Sequence, residues 1–167
     1  MAKRSRNSWT ADAARGGVGG LVGTWLMDLV TSAMLEGQSE DSRRREDAAR
    51  PNSRSSVANL VDRLDGQLGL DLDDSQRAIA AQIVHVGLGV VPGAAYAVLR
   101  RRVPFVAAGR GLLYGVTLWA VNDEYLNTAL GLAGPFDAYP LETHWRGLIG
   151  HAVLGVATDT AIDVLGI

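Results

Sequence analysis

The chain has 167 residues, 47% of them hydrophobic and 20% charged, with 20 glycines, no cysteine and a formal net charge of −2. The missing cysteines exclude a disulfide scaffold and any thiolate metal or redox site, and the near-neutral balance gives no basis for a nucleic-acid partner. A mean hydropathy of +0.08 suits a soluble domain as well as a small membrane protein, but seven of the 16 basic and ten of the 18 acidic residues fall between Glu36 and Arg77, leaving long segments elsewhere almost without charge.

Residues 1–15 are a basic segment carrying Lys3, Arg4, Arg6 and Arg15. The first apolar span, 16–35, contains Asp28 as its one charge and matches the ~20 residues a helix needs to cross a bilayer core. The same stretch has the layout of a signal peptide with Thr31-Ser32-Ala33 as a cleavage site, but Asp28 and the length of the run favour a retained span. A polar loop, 36–77, follows in two parts. Gln38 to Ser56, rich in Ser, Arg, Asp and Glu, is expected to be poorly ordered. Val57, Leu60, Val61, Leu64 and Leu68 then recur at helical spacing opposite Asn59, Asp62, Arg63 and Asp65. They predict a short amphipathic helix that lies on the membrane, covers the mouth of the bundle, or packs on the loop in solvent.

Asp73 and Gln76 have the spacing of a capping box that opens the second span, 78–99, which is free of formal charge. The third span, 109–132, is the least apolar, with Arg110 near its start and Asn122, Asp123 and Glu124 past its middle. The fourth, 145–167, contains Arg146, His151, Asp159 and Asp163. The expected fold class is all-α, an integral membrane four-helix bundle forming one domain over 16–167. A soluble helical bundle is the alternative, but so many glycines within apolar spans would make poor soluble helices.

Arg100, Arg101 and Arg102 place the loop between the second and third spans in the cytoplasm, and with four spans both termini join it there. Arg43, Arg44, Arg45, Arg50 and Arg54, in a loop then assigned to the outside, run against this orientation.

Read at intervals of four, every span carries a strip of small and ionisable residues. The strips are Gly16, Gly20, Thr24, Asp28 and Ser32; Ala81, His85, Gly89, Gly93 and Ala97; Gly111, Gly115, Trp119, Asp123, Asn127 and Gly131; and Gly147, His151, Gly155, Asp159 and Asp163. Residues four apart share a helix face, small residues let membrane helices approach closely, and ionisable ones avoid lipid, so the strips are expected to face one another. Counted inward from the first and third loops, Asp28, His85, Asp123 and His151 all lie about 9–14 Å deep at 1.5 Å per residue. Glu124 is turned by about 100° from Asp123 and is a fifth candidate. Near the opposite end, Arg110 is expected to pair with Asp159 or Asp163 as a structural ion pair.

Isolated charges at that depth are costly, so these groups pair, accept a cation, or go neutral. Asp28, His85, Asp123, Glu124 and His151 suit proton or cation binding. His85, His151, Asp28 and Asp123 also suit a divalent metal. A bis-histidine haem has little apolar room, and mere locking of the bundle is the bland account of the same atoms. No nucleophile triad, phosphate loop or metalloprotease motif is present, which argues against an enzyme. Trp25, Trp119, Trp145, Tyr96, Tyr125 and Tyr139 read as interfacial or packing aromatics, and Pro92 as a kink below His85.

His85 ahead of a small-residue helix ending in Tyr96, the run Gly111-Leu112-Leu113-Tyr114-Gly115, and Gly150-His151 preceded by Glu142 together resemble the YagU-like family of bacterial inner-membrane proteins, whose biochemical function is not known. The resemblance covers about half the chain and implies four helices in an inner membrane. Where that family has a histidine in its third span, this chain places Asp123 or a neighbour.

The expectation is therefore a small multi-pass inner-membrane protein with a proton- or cation-binding, transport-like cluster. The alternatives are an accessory subunit whose strips pack helices or a partner, and a metal-binding membrane protein. The expected partners are the lipid bilayer and a second copy or another membrane protein, because four helices barely enclose a pore.

Overall fold

The structure, a computed structural model, describes residues 7–166. Lys3, Arg4 and Arg6 of the basic segment and Ile167 at the end of the fourth span lie outside them. The described residues are helical with no strand: α1 (Asn7–Glu36), α2 (Glu40–Ala49), α3 (Ser56–Leu68), α4 (Asp74–Arg100), α5 (Leu112–Leu118), a π-helical segment Trp119–Leu126, α6 (Asn127–Ala129) and α7 (Leu141–Val164). Three helices are long and apolar enough to cross a membrane, namely Trp9–Glu36 of α1, α4 and α7. Their outward faces are apolar: Trp25 is 61% exposed, Ile83 67% and Val91 68%. Such surface is costly in water and suits lipid.

Helix α1 packs against both α4 and α7, and α5 packs against α7 with Tyr114 reaching Tyr96 of α4. Glycine makes this possible. A Cβ on Gly20 would overlap the Gly89 carbonyl, and one on Gly16 would overlap Gly93 and Ala97. On an adjacent face of α7, Gly111 and Gly115 approach Gly155 and His151 just as closely. The four strips thus make their closest backbone contacts in two pairs, first with second and third with fourth. A second row on α1, Gly19, Gly23, Met27 and Thr31, is occupied by Thr158, Leu154 and Gly150 of α7. Tyr96, Ala97 and Ile162 form the tightest apolar core, with Tyr114 stacked on Tyr96 at 4.4 Å between ring centroids.

The third expected span differs most. Gly109, Arg110 and Gly111 all take positive φ, so the helix starts only at Leu112, and Gly111 combines this conformation with contact against Gly155 and Asp159 that leaves no room for a Cβ. From Trp119 the polar residues Asn122, Asp123 and Glu124 sit in the π-helical segment, where the Asn127 N–H donates to the Asn122 carbonyl. Single π turns inside α-helices favour functional sites. The stretch ends where Gly131 takes φ 67°.

Gln38 to Ser56 is ordered rather than loose. Ser39 caps α2, and Gln38, Ser42 and Glu46 form one buried face at helical spacing. That face is polar, so composition alone makes it look like solvent-exposed loop. Helix α3 is the expected helix, capped by Ser55 and closed by Gly69 in the left-handed region. Its buried residues include Asn59 and Asp65, whereas Leu64 and Leu68 are exposed. Asn59 donates to the Leu132 carbonyl at 3.0 Å and Arg63 to Leu130 at 2.7 Å, satisfying carbonyls at the end of the third helical stretch. The Asp73–Gln76 capping box opens α4 as the spacing predicts.

Candidate functional site

A cavity of about 540 Å³ lies between α1, α4, the π-helical segment and α7. Val57 and Leu60 of α3 and residues of the segment before α7 also line it. His85, Asp123, Glu124 and His151, four of the five candidates, line this one space. Asp28 stands behind His85.

Asp28 and Glu124 are each hydrogen-bonded to a histidine. His85 Nε2 donates to both oxygens of Asp28, at 2.9 and 3.1 Å. His151 Nδ1 lies 3.6 Å from Asp123 Oδ2 but donates to its own helix, to the Gly147 carbonyl at 3.0 Å. Asp123 Oδ1 accepts from Asn122 Nδ2 at 2.8 Å. Glu124 accepts at 2.9 Å from Nδ1 of His144, a residue the sequence reading did not single out. His144 Nε2 points at the Phe136 carbonyl at 3.1 Å, and its ring stacks on Phe136. His85, His144 and His151 are the chain's three histidines, and each one lines the cavity with a carboxylate beside it.

At the loop end, Glu46 is buried and bonded to Arg146 at 2.6 Å, to Arg50 at 2.5 Å and to Thr143 at 2.9 Å, with Gln38 completing the set through bonds to Glu46 and Arg146. Burial alone would raise this carboxyl, but the Arg146 hydrogen bond and charge, followed by Thr143 and Arg50, outweigh it and hold the group below its ordinary value of 4.5. This network clamps α2 to α7. The signal for it was the four-residue row Gln38, Ser42 and Glu46, masked by the charge around it; for His144, it was the scarcity of histidine itself.

At the opposite end, the partner of Asp159 and Asp163 is Arg100 rather than Arg110. Arg100 Nη1 bonds Asp159 at 2.5 Å and Nη2 bonds Asp163, while Tyr96 donates to Asp159 at 2.6 Å. Arg110 is exposed, set in the left-handed turn before α5. Among the described residues no three His, Asp or Glu side chains converge as a metal site. His85 with Asp28, and His151 with Asp123, stand as separate pairs.

A family profile described as "Protein of unknown function (DUF1440)" matches residues 64–160, more than half of the chain. The match takes in His85, Asp123, Glu124, His144 and His151 and leaves out Asp28 and Glu46. No curated protein and no solved structure matches the chain.

Proposed function

The chain belongs to the DUF1440 family of proteins of unknown function, and within it we propose a small multi-pass inner-membrane protein that binds a proton or cation in its histidine-lined cavity and works in a transport-like, proton-linked manner. The observation that carries this reading is the convergence of all three histidines on one cavity, each beside a carboxylate. Histidine changes charge near neutral pH, and ionisable groups inside a membrane bundle mark ion or proton pathways. In this reading the helical stretch from Leu112 to Ala129 is a fourth span, both termini are cytoplasmic, and the protein is a relative of the YagU-like group. The cavity then opens toward the outer face.

Reconstitution tests it. Proteoliposomes holding the full chain should show a pH-dependent flux that falls at least tenfold in Asp28→Asn and His85→Ala. Unaltered flux in both variants overturns the reading. Variants that lose thermal stability, in a protein with no flux to lose, point instead to an accessory subunit. Elemental analysis of the same preparation reports on a bound metal.

A further inference from the structure

The charges around the cavity leave one carboxylate over. Glu46 is neutralised by Arg146 and Arg50, while Glu124 accepts a hydrogen bond from His144 and Asp28 from His85. Asp123 has a neutral amide on Oδ1, and the nearest cationic candidate, His151 Nδ1, is beyond hydrogen-bond reach of Oδ2 and committed to Gly147. The cavity therefore offers a carboxylate oxygen, Asp123 Oδ2, as an acceptor, beside Trp119 in the same wall. Leu88, Leu118 and Leu154 make much of the remaining wall apolar.

Building on the cation-binding reading above, we propose that the cavity binds a small organic ammonium ion, with Asp123 as counter-ion and its apolar part held against Trp119 and the leucines. A volume of about 540 Å³ falls among small-molecule pockets, which span about 300–1,000 Å³ and combine apolar walls with a few convergent polar groups. A bare calcium ion wants 6–8 oxygen ligands, and one carboxylate without a cationic partner does not supply them. An ammonium group needs only acceptors for its N–H bonds, and the indole face adds cation–π attraction.

The test uses the full chain in detergent micelles, equilibrium dialysis, and three probes: benzylammonium, its neutral counterpart benzyl alcohol, and potassium ion. Benzylammonium should bind at one saturable site, at least tenfold tighter than benzyl alcohol, and potassium at equal concentration should not displace it. Asp123→Asn should weaken benzylammonium at least tenfold, Asp123→Glu should retain it, and Asp71→Asn in the exposed loop should change nothing. Equal binding of amine and alcohol, full displacement by potassium, or undiminished binding in a folded Asp123→Asn overturns the proposal; if that variant does not fold, the amine and alcohol comparison on the unaltered chain decides. Amine binding without pH-dependent flux defeats the transport reading alone. Flux without amine binding defeats this inference alone.

Discussion

Asp28 and His85 meet across the α1–α4 seam, the imidazole Nε2 lying 2.9 and 3.1 Å from the two carboxylate oxygens. Further along the same seam, Gly20 and Gly89 hold the two backbones close enough for a bond between short side chains. Interhelical hydrogen bonds within membranes contribute about 0.6 kcal/mol on average and up to about 1.7. A double-mutant cycle with Asp28→Asn and His85→Gln should therefore give a coupling of about 0.6–1.7 kcal/mol in detergent unfolding. Additive single effects would show that the pair is not a bond in the folded protein.

The glycines divide by what surrounds them. Gly20→Ala should cost about 1–3 kcal/mol, because its Cβ would overlap the Gly89 carbonyl and the helices must separate. Gly66 in α3 and Gly87 in α4 have nothing within 4 Å of an added Cβ. Alanine at either should stabilise by about 0.5–1 kcal/mol, the usual helix-interior difference. Thermal melts of the three variants check the sign of each effect.

Glu46 makes the clamp pH-dependent. Its folded-state pKa lies below the ordinary 4.5, so the stability it contributes is fully present above that value and is lost as the pH falls through the folded-state value. Acid melting curves should steepen below about pH 4.5, and Glu46→Gln should flatten that limb. Glu46→Ala should cost about 3 kcal/mol, since Arg146 and Arg50 are left without their shared partner. Protease nicking at Arg43 to Arg45 of α2 would report the loosened clamp directly.

Arg100 and Arg110 separate a buried bridge from a surface charge. Arg100→Ala leaves Asp159, 5% exposed, with only the Tyr96 hydroxyl of its present side-chain partners, and should cost about 3–5 kcal/mol. Arg110→Ala should stay within about 0.5 kcal/mol of the unaltered protein. Equal effects in urea or detergent titrations would contradict the assigned bridge.

What the sequence determined by itself was local and periodic. Residue spacing predicts α4 and α7 to within four residues, the C-terminal end but not the start of α1, the Asp73–Gln76 cap, the α3 helix, and the strips that carry Asp28, His85, Asp123 and His151, because each depends on neighbours within a turn or two. Only the tertiary structure decided which strip meets which, since that depends on which helices become neighbours. It paired Asp28 with His85 across 57 positions, and it placed Arg100 rather than Arg110 on Asp159. It also drew Glu46 from an apparently solvated loop into contact with Arg146, 100 positions away. His144 became a cavity residue for the same reason: a π-helical turn carries Glu124 to it, and no periodicity of 3.6 anticipates that register. Apolar repeats select helix faces, whereas the pairing of charges follows from the order in which those faces pack.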